Sequence, residues 1–339
     1  MLRRLAVSLV MWPLACGGLA EFAAPDASSD AIVARQEAGT QDAGADAALA
    51  DAMPKAEASV GPPVTTVSTL ASGQDHPTGL ALDATYVYWT LNDAFGGAVM
   101  RVAKSGGNPE VLIANDVDPV TVAVDGPTIY WGSGQELDRR ALAGGPTVTL
   151  DPNGANVVVQ DANNLYWLTN MGSGISSTAK PGGAITVLTS NLPAPPGSLV
   201  VDSSTVFATT GDEVIAVPIG GGSVRVLATQ RNNPNGIAVD SSNVYWVDTG
   251  GGTVCAIPLG GGAVTTLAAG QSAPIGLALD HGTLYWANYE GDGAVMKMPA
   301  SGGAPSTIAS EQGQPLAIAI DATAIYWTDV RGQVMRGPK

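Results

Sequence analysis

One block of residues recurs seven times along this chain, and no other feature restricts its fold as strongly. In each copy an apolar run ends in Asp, a turn follows, and an apolar residue then leads into an aromatic pair. Leu80-Ala81-Leu82-Asp83 precedes Val87-Tyr88-Trp89, and Val122-Ala123-Val124-Asp125 precedes Ile129-Tyr130-Trp131. Asp161, Asp240, Asp280 and Asp321 lead in the same way to Tyr166-Trp167, Tyr245-Trp246, Tyr285-Trp286 and Tyr326-Trp327. The copy at Asp202 is degenerate and ends in Val206-Phe207-Ala208. Successive aspartates lie 42, 36, 41, 38, 40 and 41 residues apart. A unit of this length cannot bury its own apolar faces, so the copies must pack on one another.

A second landmark sets the strand register. Glycine pairs or triplets fall at Gly106-Gly107, Gly144-Gly145, Gly182-Gly183, Gly220 to Gly222, Gly260 to Gly262 and Gly302-Gly303. Each separates two short β-like runs, where glycine supplies the positive φ of a tight hairpin. One unit thus reads as strand a (Leu277 to Leu279), b (Leu284 to Ala287), c (Val295 to Met298) and d (Ser306 to Ala309). Strand a is apolar at nearly every step, as expected where neighbours cover both faces. Its middle residue is small (Ala81, Ala123, Ala238, Ala278, Ala319), which suits a crowded axis. The seventh unit stops at Lys339, before its fourth strand, and Val64 to Ala71 offers the missing one. The expectation is an all-β, seven-bladed β-propeller of four-stranded blades, its ring closed by the N-terminal strand. Only short blade edges stay exposed in such a ring, and the body is expected to be a monomer.

Tyr326-Trp327-Thr328-Asp329 and the near copy Tyr245-Trp246-Val247-Asp248 resemble the repeat of YWTD propellers. Pro234-Asn235-Gly236-Ile237-Ala238-Val239-Asp240 is similar to an NHL blade. The resemblance spans 63–339 and implies a binding or scaffold module. YWTD propellers have six blades, so six is the alternative count. Metal-dependent lactonases and some lyases use similar propellers, and this is the competing functional class.

The first 20 residues read as an export signal, with Arg3 and Arg4 before the apolar run Leu5 to Ala15. That run is shorter than the roughly 20 residues a spanning helix needs. Leu14-Ala15-Cys16-Gly17-Gly18 resembles the lipobox of bacterial lipoproteins, with Pro13 as a departure. The resemblance implies lipidation of Cys16 and a membrane-anchored place in the bacterial cell envelope. Cleavage after Ala20 would instead give a periplasmic or secreted protein. Residues 21–62 are rich in Ala, with eight acids against two bases, and read as a disordered acidic linker.

Composition then removes whole classes of function. The chain carries 15 Lys+Arg against 30 Asp+Glu, with no basic cluster, so nucleic acid is excluded as a partner. Two Cys and two His leave no disulfide framework, Cys-rich zinc site or multi-histidine centre. No catalytic residue is assigned: Gly-x-Ser-x-Gly, His-Glu-x-x-His and phosphate-loop motifs are missing. No cofactor is expected beyond a divalent cation. Even for that, Asn115-Asp116-Val117-Asp118 falls short of a calcium loop.

The seven block aspartates open turns, where Asp side chains bond nearby N–H groups, and are read as structural. Cys255 occupies the strand c step held elsewhere by Met100, Ile215, Met296 and Met335, and is read as packing. Function in such a ring falls to the d-to-a and b-to-c loops at one mouth of the channel. Those loops hold Asp75, His76, Asp93, Asp118, Glu136, Asp248, Tyr289, Glu290, Asp329 and Arg331, the candidate ligand-binding set. An acidic mouth of this kind suits a protein, a peptide or a small cationic ligand. For the hydrolase or lyase class the candidates are His76, Glu136, Glu290 and Asp329, around a divalent ion.

Overall fold

The computed structural model describes residues 64–339 except 93–95, 170–173, 191, 193 and 195. The signal, Cys16, the linker and Asp93 lie outside the described residues. Blade 1 comprises β2 (Pro77–Leu82), β3 (Tyr86–Leu91), β4 (Gly97–Ala103) and β5 (Glu110–Asp116), after β1 (Ser68–Ala71). Blade 2 follows with β6 (Pro119–Asp125), β7 (Thr128–Ser133), β8 (Leu137–Ala141) and β9 (Val148–Asp151). Blade 3 is β10 (Ala155–Gln160), β11 (Asn164–Thr169), β12 (Ile175–Ala179) and β13 (Thr186–Thr189). Blade 4 is β14 (Pro196–Val201), β15 (Thr205–Thr210), β16 (Glu213–Pro218) and β17 (Arg225–Ala228). Blade 5 is β18 (Pro234–Val239), β19 (Asn243–Asp248), β20 (Thr253–Pro258) and β21 (Thr265–Ala268). Blade 6 is β22 (Pro274–Asp280), β23 (Thr283–Asn288), β24 (Ala294–Pro299) and β25 (Ser306–Ser310). Blade 7 ends the chain with β26 (Pro315–Ile320), β27 (Ile325–Asp329) and β28 (Gln333–Gly337).

The seventh sheet runs β1-β28-β27-β26, so the N-terminal strand supplies its outer edge. Ser68 stands opposite Arg336 and Thr69 opposite Met335. Each inner strand contacts the next one round the ring, and β26 contacts β2 to close it. Seven antiparallel four-stranded sheets make a seven-bladed propeller and exclude the six-bladed alternative.

The tyrosine–tryptophan pairs explain why the blades pack. Tyr88 of blade 1 shares a core cluster with Trp131 of blade 2, and Tyr130 with Trp167 of blade 3. The same holds for Tyr245 with Trp286, Tyr285 with Trp327 and Tyr326 with Trp89 across the closure. Five of the seven seams are thus filled by the Tyr of one blade and the Trp of the next. Blade 4 has Phe207 against Trp246 on one side, while Ala208 leaves the other to Tyr166, Leu188 and Leu192. Near the axis, a Cβ on Gly79 would lie 2.8 Å from the Thr121 Cα, so only glycine permits that approach.

At the end opposite the mouth, the block aspartates behave as the turn residues they were read to be. Asp83 Oδ1 accepts from the N–H groups of Thr85 and Tyr86 at 2.6 Å, and Oδ2 from the Tyr88 hydroxyl at 2.5 Å. Asp161, Asp240 and Asp321 repeat both contacts. In each case the tyrosine five residues on is tied to its own turn. Burial and the carboxylate together push Tyr245 up to about 12. Asp125 is different, being exposed and paired with Lys180 of the next blade, and so is Asp280, because His281 and Gly282 both have positive φ in its turn. The Asp280 carboxylate is bonded to His281 at 2.8 Å and to Lys339.

Candidate functional site

The d-to-a loop before a blade and the b-to-c loop within it are stitched together at the mouth. Wherever the residue that precedes an inner strand is described it has positive φ: His76, Asp118, Gly154, Asn233, Ala273 and Gln314. In four blades its carbonyl accepts from a b-to-c loop N–H: Asn92 to His76, Thr249 to Asn233, Tyr289 to Ala273 and Val330 to Gln314. His76 and Asp118 therefore stand at a recurrent backbone step. The His76 ring is exposed and lies 2.6 Å from Asp75.

A second stitch uses the tryptophans. The Trp89 indole donates to Gln74 at 3.2 Å and the Trp286 indole to Gln271 at 3.1 Å, each 15 residues earlier in a d-to-a loop. Asp116 serves Trp131 in the same way, and Asp151 takes the Trp167 indole at 2.9 Å. Gln74 and Gln271 also donate their backbone N–H to Gly332 and Gly252 of the preceding blade. One polar side chain thus latches two blades at the rim.

Blade 5 carries Arg231 at that step, and the indole turns to Asp248 instead. Asp248 is 1% exposed, with Oδ1 accepting from Trp246 at 3.0 Å and Oδ2 paired with Arg231 at 2.5 Å. Thr253 and Cys255 complete its surroundings at 3.3 and 3.7 Å. Cys255 is fully buried, and burial raises its thiol pKa. Asp329 is also 1% exposed, accepts from the Gln333 N–H at 3.0 Å, and is raised by burial. Arg331 is exposed and lies over Gly313. Tyr289 is half-buried against the blade 6–7 core. Asp75, Glu136 and Glu290 are exposed.

The described candidate residues are therefore spread around the rim, alone or in neighbouring pairs such as Asp75 with His76 and Asp329 with Arg331, over several blades. Among the described residues no three of His, Cys, Asp and Glu lie close enough to hold a metal ion.

The mouth does gather carboxylates at one place. A cavity of about 300 Å³, where the last strand of blade 1 meets blade 2, is lined by Asp116, Trp131, Glu136 and Asp138, with Ile113 and Val117 among its apolar residues. Asp138 was absent from the sequence-derived candidates. It faces Trp131 across the β7–β8 hairpin, the step held by Met100, Ile215, Cys255, Met296 and Met335 in five other blades. The sequence carries the signal, since Asp138 falls seven residues after Trp131 at the strand c step that apolar residues fill in other blades. Burial, together with Glu136 and Asp116, pushes Asp138 up to about 6, against the pull of Thr149. Asp116 is raised as well, by burial first and then by Glu136, while the Trp131 bond opposes the shift.

No family model matches the chain. No curated protein matches it either. Solved structures do, among them several β-propellers. The WD40 β-propeller domain of Doa1 has a TM-score of 0.69 at 12% identity, covering 82% of this chain and 97% of that one. A catalytically inactive virginiamycin B lyase from Staphylococcus aureus, with quinupristin, has a TM-score of 0.69 at 13% identity, covering 80% and 99%. BamB from Moraxella catarrhalis has a TM-score of 0.57 at 12% identity, covering 81% and 91%. At these identities the likeness is one of fold alone.

Proposed function

We propose that this protein is an exported, lipid-anchored propeller of the bacterial envelope that binds a basic partner through its acidic mouth, without catalysing a reaction. Cys16 carries the lipid, residues 21–62 are the acidic tether, and the ring, a monomer of YWTD- or NHL-like blades, presents the mouth loops to a peptide, protein or small cation. The observation that supports this reading is the division of the acids between the two ends of the ring. Five of the seven block aspartates at one end, Asp83, Asp161, Asp202, Asp240 and Asp321, are half-buried and bonded within their turns, whereas Asp75, Glu136, Asp212, Glu290 and Asp292 at the other end are exposed. A rigid ring with like charge at one opening attracts and orients a cationic partner.

Neutralising Asp75, Glu136 and Glu290 together to Asn and Gln tests the reading. A lysine-rich peptide should bind the unaltered protein at low salt and lose at least tenfold in affinity to the triple variant. Equal binding by the two proteins overturns the mouth assignment. Lipidation is separately open to an intact mass, where an unmodified Cys16 N-terminus would refute it.

A further inference from the structure

Asp138, which lines the blade 2 cavity, has a carboxylate oxygen that no described residue satisfies. Asp138 is 6% exposed, and its Oδ1 is enclosed without a hydrogen-bond partner. Arg140, two residues along the same strand, does not pair with it and donates instead to the Leu112 carbonyl. Asp116 and Glu136 line the same cavity, so the carboxylates around Asp138 repel its charge rather than compensate it. At this step five other blades pack Met, Ile or Cys, and blade 3 has Ser176. A buried carboxylate that draws on Thr149 but on no cation, in place of a packing residue, is costly for folding alone.

We infer that this cavity binds the protonated amino group of an alkylammonium ligand, held by Asp138 with Glu136 and Asp116. The inference rests on the reading of the mouth as a cation-binding surface, and names the place and the ligand class. Ionised carboxylates only accept hydrogen bonds, and an ammonium group only donates them, with three N–H bonds to distribute. Among the described residues no three acids are placed to hold a metal ion, whereas an ammonium nitrogen is held at longer contacts of about 2.8 Å and needs no closed ligand shell. Ile113, Val117 and Trp131 provide an apolar wall along which a methylene stem can lie. Because Asp138 is pushed up to about 6, a ligand that binds its charged form releases a proton near that pH.

The same group occurs on free polyamines and on lysine side chains. Calorimetric titration of the full chain with n-butylammonium, spermidine and a single-lysine peptide, at pH 6 and pH 7.5 in low salt, tests the inference. The unaltered protein should bind with proton release at pH 6. Asp138→Asn, and Asp138→Ser with the blade 3 residue, should weaken binding at least tenfold and abolish that release. Stronger binding of spermidine would place the group on a free polyamine, and stronger binding of the peptide on a lysine side chain, both in support. If Asp138→Asn binds normally while Asp75→Asn and Glu290→Gln weaken binding, the cavity assignment falls and the mouth reading stands. If none of the three probes binds at millimolar concentration, both fall.

Discussion

Lys104 of the first blade reaches across the ring closure to Asp321 of the last, Nζ to Oδ2 at 2.8 Å. The contact belongs to a series. The residue one or two steps past strand c points to the block aspartate of the preceding blade, so Lys180 meets Asp125 at 3.0 Å and Lys339 meets Asp280. Where that residue is Leu142, Ile219 or Leu259, it packs against the seam instead. The same step therefore joins blades either by charge or by apolar contact. At the closure this clasp supplements the pairing of β1 with β28.

The clasp predicts an acid-labile ring closure. Burial alone would raise Asp321, but Lys104 and the donors of Thr323 outweigh it and hold the carboxyl at about 2. A depressed folded pKa contributes stability that is complete above the unfolded value near 4 and is lost as pH falls toward 2. The amount is on the order of 2 kcal/mol for such a shift. Denaturant melts between pH 7 and pH 2.5 should show this loss, and Asp321→Asn should remove it. Lys104→Met should cost about 1 to 3 kcal/mol at pH 7, because Asp321 is then left half-buried and unpaired. The double change Lys104→Leu with Asp321→Asn should recover part of that cost, following the apolar solution of other seams.

Asp138 should behave in the opposite sense. Its folded pKa is raised to about 6, so its stability contribution is full below about pH 4 and is lost as pH rises through 6. The groups facing it are Asp116 and Glu136, with Thr149 as donor, while Arg140 is engaged by the Leu112 carbonyl. Asp138→Asn should therefore stabilise the unliganded protein at pH 7.5 by about 1 to 2 kcal/mol, with the gain vanishing near pH 4. Chemical denaturation of both proteins at the two pH values measures it. A variant less stable at both would show that the carboxylate is needed for packing.

The blade grammar was legible because a repeat averages over its own exceptions. Seven copies of Asp and six of Tyr-Trp locate strands a and b even where blade 4 has drifted to Phe207-Ala208. The closure was legible from a missing strand at one end and a spare one at the other, although the pairing begins only at Ser68. The site was less so, because function here lies in departures from the repeat. Asp138 departs from the pattern inside a strand, whereas the candidates were sought in loops. Loop acids also look alike in sequence whether a carboxylate is exposed, as in Glu290, or enclosed by Arg231, Trp246 and Thr253, as in Asp248.

The positive-φ step before the inner strands predicts a stabilising substitution. Ala273 sits there with φ 48°, a conformation that costs a residue with a Cβ roughly 1 to 2 kcal/mol. Gly154 occupies the same step before β10 without that cost. Ala273→Gly gives up some unfolded-state restriction but relieves the strain, so a net gain of about 0.5 kcal/mol is expected. Ala273→Val, which adds a branched side chain at the same φ, should lose stability by about 1 kcal/mol or more. The two melting temperatures should move in opposite directions.

The rim latches predict unequal effects for two glutamines at equivalent positions. Trp89 donates to Gln74, whereas Trp286 donates both to Gln271 and to Asn288, at 3.1 Å each. Gln74→Leu leaves the indole N–H of a fully buried tryptophan without its acceptor, at a cost of about 1 to 3 kcal/mol. Gln271→Leu leaves Asn288 in place, and its cost should stay below about 1 kcal/mol. Combining Gln271→Leu with Asn288→Leu should bring blade 6 to the penalty of blade 1. Hydrogen exchange of the two indole N–H groups reads the same contrast locally: Gln74→Leu should speed exchange at Trp89, while Gln271→Leu alone should leave Trp286 protected. Equal penalties for the two single variants would mean that the latch works through the loop backbone, where Gln74 and Gln271 both donate to the preceding blade.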